Sequence, residues 1–372
     1  MSESIDVSVD VVIPVYNAPE LTRRCIDSVV THLGRSIGII FIQDDASNTE
    51  TREMLDSLSY PQLHIYHAPE NQGYGKSVND AIARSRAELV LVLNSDTEVR
   101  ENFLPLLCKA FAADQKLAVI NPVFDNFFRY AVDRYQRQPG GYIKTYRFKG
   151  YAFLIRRDLF LALGGFDMQF GRGYYEDTDL GRRLVRQGWR MGVHPDTCIY
   201  HEGGASFGRG WSYFLLMKRN RALYFSRYPE AQHNILVVSG QYTLAELPVQ
   251  LSNALECMLQ KGEGVNWLTP VPLPQLSCYP MRNSQASFRM IVKQLMRGWR
   301  RRDKRITTVW ILPGVPAGLR FLLKLLVRMR HLELREWPED QPEFAQPLPD
   351  PQRKIPAGPA LKQDATGKQN SE

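Results

Sequence analysis

The sequence is short of several things that would place it quickly. It has five cysteines in 372 residues (Cys25, Cys108, Cys198, Cys257 and Cys278), an odd number, widely spaced and without a CxxC pair. That spacing argues against a zinc cage or a disulfide framework and fits a reducing compartment. No run approaches the roughly 18 uninterrupted apolar residues that a membrane-spanning helix needs. The opening stretch MSESIDVSVDVVIPVYN carries acids where a secretory leader needs bases. These absences predict a cytoplasmic protein. Acids are scarce in one segment: residues 281–332 hold thirteen Lys and Arg against one acid, Asp303, a net +12. The whole chain is +8, so the remainder is mildly acidic at −4. Such a body argues against a nucleic-acid enzyme, and no nucleic-acid partner is expected.

What is present suffices for a globular core: 44% hydrophobic and 23% charged residues. The first part alternates strand and helix. Strands are predicted over 7–16, 37–45, 62–68 and 88–94. Helices are predicted over 19–33, 48–58, 75–86 and near 101–113. Four strand–helix units in a row mean a parallel sheet covered by helices on both faces. Ligands of such a sheet bind at the carboxyl ends of its strands. Polar residues gather there: Asn17 after the first strand, Asp44 and Asp45 at the second, Asn71 after the third, and Asn94, Ser95 and Asp96 after the fourth. Any one is explained by a solvated turn. Four such ends on one edge are harder to explain that way.

Each later motif carries a structural and a chemical reading. Asn94-Ser95-Asp96 offers oxygen ligands at a sheet edge, enough to hold Mg²⁺ or Mn²⁺ with coordination left for phosphate oxygens. An Asx turn would use the same residues. The stretch YYEDTDLGRRL puts Glu176, Asp177 and Asp179 at a predicted helix start, where the dipole favours acids. Three acids exceed what capping needs, and a carboxylate there suits a general base on a sugar hydroxyl. His201, before a Gly-Gly pair, can complete a metal site. The stretch NQGYGKSVN is not a Walker A loop, because Glu70 stands where its first glycine belongs.

The stretches VVIPVYNAPELTRRCIDSV, QDDASNTET, NQGYGKSVNDAI, LVLNSDTEV, GGFDMQFGRGYYEDTDLGRRL and HPDTCIYHEGGAS follow one another in order. In that order and spacing the chain resembles the family 2 glycosyltransferases, over roughly residues 8–228. The resemblance implies a GT-A fold: a Rossmann-like, mostly parallel α/β sheet with helices on both faces. It also implies an inverting enzyme that uses a nucleotide-diphosphate sugar. The flavour is that of rhamnosyltransferase-like enzymes of bacterial surface polysaccharide synthesis, with a dTDP-rhamnose-like or UDP-sugar donor and a glycan or lipid-linked acceptor. By the same resemblance Pro14, Tyr16 and Asn17 line the nucleotide pocket, and one of Asp44 and Asp45 holds the base of the nucleotide. Asn71, Gly73 and Asn79 approach ribose and phosphates. Asn94-Ser95-Asp96 stands in place of the DxD motif, with Asn for its first Asp, and Asp96 ligates Mg²⁺ or Mn²⁺. Asp177 matches the catalytic base, with Glu176 beside it, and His201 joins the metal or diphosphate. Lys218, Arg219 and Arg221 are expected to face the diphosphate.

Residues 229–336 lie largely beyond that resemblance and are expected to form a basic, mainly helical region. Helical stripes over 287–305 and 318–332 combine arginines with apolar residues, which suits peripheral contact with the cytoplasmic face of a membrane. Residues 337–372, with seven prolines, read as a disordered tail. Three rivals remain at this stage. A nucleotidyltransferase would need a glycine run after the first strand, where PVYNAPELTRR has none. A degenerate carbohydrate- or nucleotide-sugar-binding protein would be expected to lack Asp96 and Asp177. A basic nucleic-acid-binding protein would show salt-sensitive retention on DNA.

Overall fold

The computed structural model describes residues 7–124, 136–203, 211–240, 249–270, 272, 281–296 and 304–337. The expected tail apart from Trp337, residues 125–135 and the arginine run 297–303 lie outside the described residues.

Four parallel strands open the chain; the first, second and fourth are fully buried because helices cover both faces, and the third, at the sheet's edge, is half exposed. They are β1 (Val9–Val15), β2 (Ile40–Asp44), β3 (Leu63–His67) and β4 (Leu89–Leu93). The sequences VDVVIPV and LVLVL are nearly all apolar, as two-sided burial requires. Val11, Ile13 and Leu91 point to a core shared with α1 (Pro19–Leu33) and α4 (Leu104–Ala113). Val12, Val90 and Val92 point to the opposite core, shared with α3 (Tyr74–Arg84). The buried stripe of α1 is Thr22, Cys25, Ile26, Val29 and Leu33, a spacing of three and four that keeps one helical face inward. In α2 (Thr49–Asp56), Asn48 caps the helix, its side chain accepting from the Thr51 N–H at 3.0 Å.

The sheet continues through β5 (Thr97–Glu98), β6 (Leu117–Phe124), β7 (Ile143–Thr145), β8 (Ala152–Arg156) and β9 (Arg190–His201). Its order is β3-β2-β1-β4-β8-β6-β9-β5, with β7 paired to β9. Strands β3 to β4 are parallel, and β8 runs antiparallel beside β4 with Leu91 opposite Leu154. The amino end of β8 therefore lies at the carboxyl edge of its neighbours. Helices α5 (Arg157–Ala162), α6 (Glu176–Arg186) and α7 (Trp211–Arg227) complete this unit.

The region expected to be mainly helical holds a second sheet. Its strands are β10 (Asn234–Val238), β11 (Gly264–Thr269), β12 (Met281–Gln285), β13 (Ile306–Ile311) and β14 (Glu333–Glu336). All pairs are parallel and the order is β12-β11-β10-β13-β14, a doubly wound arrangement. Helices α8 (Val249–Gln260), α9 (Phe288–Met296) and α10 (Ala317–Met329) cover it. The two helical stripes read from the sequence exist, but their inner faces pack on this sheet: Ile291, Leu295, Leu323 and Val327 join Leu236, Val238 and Leu268 in one core. Strands β12 (MRNSQ) and β14 (ELRE) escape a sequence reading because they are polar edge strands, whereas the inner strands NILVV, GVNWLT and ITTVWI are apolar runs too short to tell from helix segments. The two units are tied together by Arg182, which donates to the Gln260 carbonyl at 2.5 Å, and by the Lys144–Glu256 ion pair.

Candidate active site

One cavity of about 1020 Å³ opens at the carboxyl edge of the first sheet. Pro14, Tyr16, Asp45, Asn71 and Gly73 line it from β1 to α3, and Asn94, Ser95 and Asp96 line it after β4. Glu176, Asp177 and His201 complete the set of expected residues found there.

The backbone at this edge is bent in unusual ways. Among the described residues, six non-glycine positions have left-handed φ, and five of them flank the cavity: Asn17, Ala18, Ala46, Tyr174 and Tyr175. Such conformations cost on the order of 1–3 kcal/mol each and persist where the surroundings impose them. Gly73 caps α3 at φ 89°, and a Cβ there would meet Arg172 Cα at 2.5 Å. Only glycine permits this approach. Asp45 holds the same turn, accepting from the N–H groups of Gln72 (2.7 Å) and Gly73 (2.8 Å).

Asp96 and His201, 105 positions apart, meet because β5 pairs with the end of β9, with Thr97 opposite His201. Asp96 Oδ1 lies 3.0 Å from His201 Nε2, and Asp96 is only 6% exposed. The His201 ring stacks on Tyr151 with centroids 4.8 Å apart. Asn94 Oδ1 is buried and has no hydrogen-bond partner among the described residues. A carboxylate, an imidazole and an unused amide oxygen suit Mg²⁺ or Mn²⁺. No cluster of three or more His, Cys, Asp or Glu side chains stands ready for a metal among the described residues. A cation held here would keep most of its coordination for other ligands.

Asp177 sits in the first turn of α6. Its Oδ2 accepts from the Gly150 N–H at 3.1 Å, and its Oδ1 accepts from the Thr178 N–H and Oγ1 at 2.6 and 3.1 Å. A carboxylate has about four acceptor positions, so capacity for a substrate hydroxyl remains. The Gly150 carbonyl accepts in turn from the Tyr74 hydroxyl. Burial, and then the charges of Glu176, Asp177 and Asp96, hold the Tyr74 phenol well above its ordinary pKa, so it stays a donor. Glu176 is different from its neighbour. It is 8% exposed, its Oε2 has no partner among the described residues, and burial followed by the Asp177 charge pushes its pKa up to about 8. At neutral pH Glu176 mostly holds its proton. Adjacent carboxyls in such unlike environments can take different roles.

Six expected residues do not line the cavity, and four of them have another task. Asn17 Oδ1 accepts from the Asn48 N–H at 2.9 Å and ties β1 to the next loop. Asp44 is fully buried, accepting from Ser47 N–H, Arg52 Nε (3.2 Å) and His67 Nδ1 (2.8 Å). Asn79 bonds the backbone of Phe166 in both directions at 2.9 Å. Lys218, Arg219 and Arg221 are not among the lining residues, which on α7 are Ser212, Leu216, Met217, Tyr224 and Phe225. Arg219 donates instead to the Gln169 carbonyl at 3.0 Å.

Several residues that matter carried no sequence signal. Arg147, Lys149 and Arg172 line the cavity; the first two lie in a stretch that reads only as a basic, aromatic loop. Asn220, fully buried inside an otherwise basic helix, donates to the carbonyls of Phe170 (2.6 Å), Gly173 (2.8 Å) and Tyr174 (3.0 Å). It clamps the loop that leads into Asp177. An asparagine between arginines is the single hint, and it is a weak one.

Residues 10–169 match the family model described as Glycosyl transferase family 2. The O-antigen biosynthesis protein RfbC of Myxococcus xanthus is 24% identical over 224 residues, covering 53% of this chain and 17% of that protein. The undecaprenyl-phosphate 4-deoxy-4-formamido-L-arabinose transferase of Klebsiella pneumoniae (strain 342) is 29% identical over 124 residues, 32% of this chain and 37% of that one. The chain thus spans well under half the length of these curated relatives. The crystal structure of GalNAc-T7 with UDP, GalNAc and Mn²⁺ superposes with a TM-score of 0.50 at 15% identity, covering 60% of this chain and 49% of that one. At that identity the likeness speaks to the fold, which is the GT-A fold. Over residues 10–169 the chain is thus similar to the family 2 glycosyltransferases.

Proposed function

We propose that this protein is an inverting glycosyltransferase that moves a sugar from a nucleotide diphosphate to a hydroxyl of a glycan or lipid-linked acceptor. The observation that carries this reading is the held carboxylate of Asp177, fixed by Gly150 and Thr178 in the same cavity as the Asp96–His201 pair. Asp177 takes the proton of the acceptor hydroxyl. The oxygen forms its bond to the anomeric carbon as the bond from that carbon to the diphosphate oxygen breaks. The diphosphate leaves with the electron pair from the opposite side, so configuration inverts. Asp45 and the backbone turn it holds at Gly73 border the nucleotide side of the cavity. Arg147, Lys149 and Arg172 supply positive charge near a diphosphate. Asp96, His201 and Asn94 would hold Mg²⁺ or Mn²⁺, which supplies charge stabilisation for a departing diphosphate. Neutral Glu176 keeps a second negative charge away from the base. The names of the relatives support a place in bacterial surface polysaccharide synthesis.

The test is nucleotide binding by calorimetry across UDP, GDP and dTDP, and turnover of their sugars including dTDP-rhamnose. Both are read with and without Mn²⁺, in wild type and Asp96→Ala. One nucleotide should bind, metal should strengthen it, and Asp96→Ala should abolish the metal effect. Binding of no nucleotide by folded protein would sink the reading and favour a degenerate carbohydrate-binding protein.

The same protein docks on an anionic membrane surface through α10. The support is a stripe of Phe321 (71% exposed), Leu325 and Met329 (68% exposed), four residues apart on one helical face. Arg320, Lys324 and Arg328 flank it, and neither α9 nor α10 contains an acid. No helix among the described residues is long and apolar enough to cross a membrane. Co-sedimentation with phosphatidylglycerol vesicles, against phosphatidylcholine vesicles, tests this. Serine at 321, 325 and 329 together should release the protein; equal pelleting of that variant would overturn it.

A further inference from the structure

The cavity has a second wall, and it comes from the second sheet. Asn234, Asn266, Arg282 and Lys304 all line it. Asn234 opens β10, Asn266 is the third residue of β11, Arg282 the second of β12, and Lys304 precedes β13. These strands are neighbours in the order β12-β11-β10-β13, so the four residues form a row along one amino-terminal edge. Asn266 and Arg282 are register partners across the β11–β12 pair and project from the same face.

The row is polar and of one sign. Two members are cations, and no acid of the second unit lines the cavity among the described residues. Asn266 is only 7% exposed and lines the cavity. A side-chain amide at that position brings N–H donors to a ligand in the cavity. At Gly264 a Cβ would meet Asn234 Oδ1 at 2.2 Å, so a larger residue there would have to displace the Asn234 amide. Asn234 itself is tied to the Gln232 and Arg305 carbonyls at 3.0 and 3.2 Å, which fixes the edge near Lys304. At about 1020 Å³ the cavity lies at the top of the roughly 300–1,000 Å³ range of single-ligand pockets, which leaves room for two substrates.

We infer that the amino-terminal edge of the second sheet is the acceptor subsite, and that its acceptor carries an anionic group held by Arg282, Lys304 and Asn266. This rests on the transferase reading above, and it names the acceptor class that reading leaves open. The anion is a phosphate or a sugar carboxylate, since both suit an arginine, a lysine and an amide N–H donor. The acceptor hydroxyl points away from that wall, towards Asp177.

The experiment uses the full chain saturated with Mn²⁺ and whichever of UDP, GDP and dTDP it binds. Methyl glucoside 6-phosphate, methyl glucuronide and neutral methyl glucoside are then titrated by ligand-observed NMR. At least one charged probe should bind about tenfold tighter than the neutral one, because a charged group strengthens a hydrogen bond. The phosphate or the carboxylate arm, whichever is preferred, identifies the source. In Arg282→Gln/Lys304→Gln that preference should vanish, while nucleotide affinity, which also reports a folded protein, stays at its wild-type value. Charged and neutral probes binding alike, or a preference that survives the double variant, would overturn this inference alone. Failure of every nucleotide to bind would overturn the transferase reading, and this subsite with it.

Discussion

The two sheets meet the same cavity with opposite edges. The first presents the carboxyl ends of its parallel strands, and with them Asp45, Asp96 and, from α6, Asp177 and Glu176. The second presents its amino ends, with Arg282, Lys304 and two asparagines. The first edge also carries the bent backbone: Asn17, Ala18 and Ala46 follow its strands in left-handed conformations, while the second contributes none at its cavity wall among the described residues. Strain concentrated on one side and absent from the other suggests where chemistry and where recognition reside. Reacting groups need fixed positions. A charge-recognising wall needs sign and reach.

That contrast predicts which damage each edge tolerates. The largest effect falls on the first edge. Asp177→Asn should lower turnover by about 10²–10⁴-fold, the span of general-base catalysis, with nucleotide affinity unchanged. Steady-state kinetics beside calorimetry would check it, and retained turnover would remove Asp177 from its role. Next comes Gly73→Ala, which forces a Cβ to 2.5 Å from Arg172 Cα at φ 89°. It should reduce nucleotide affinity and lower the melting temperature together. Asn220→Ala should cost about 1–3 kcal/mol, the scale of a buried acceptor left unpaired, in denaturant unfolding. Turnover should fall with it, although Asn220 lines no part of the cavity. A stability loss with normal turnover would show that the clamp does not act through Asp177.

The smallest effect is a matter of pH. Glu176 is held near pKa 8 in the fold, against 4.5 as its ordinary value. Between those values the folded state keeps a proton that the unfolded chain has lost, so this group destabilises the fold increasingly as pH rises from about 4.5 towards 8. Glu176→Gln should match wild type in melting temperature at pH 5 and exceed it at pH 8. A gap that does not change with pH would contradict the assignment. Substitutions at Arg282 should show none of this, since that residue meets solvent as well as the cavity.

The same comparison explains what could be read in advance. Strands β1 and β4 are buried on both faces and read as continuous apolar runs, so the first sheet and its ligand edge are legible. The polar residues at that edge are not separable by type. Asp45 faces the cavity and Asp44 turns away to Arg52 and His67, because adjacent residues at a strand end point to opposite sides. Asn79 looks like a ligand residue and instead fastens Phe166. In the second sheet the edge strands are polar and lack the period-two pattern of a half-buried strand, and the inner ones are short apolar runs that a buried helix segment would also give. Arg282 and Asn266 become neighbours only through strand register, which no local pattern announces.

Asn220 has one more consequence, which concerns time. The carbonyls it holds belong to residues 170–174, whereas it follows them by 46 to 50 positions. A ribosome therefore finishes the first sheet, and even exposes Asp177, well before the residue that fixes the base's approach loop exists. The nascent chain can fold its scaffold early, but its machinery stays unassembled until α7 has emerged and docked.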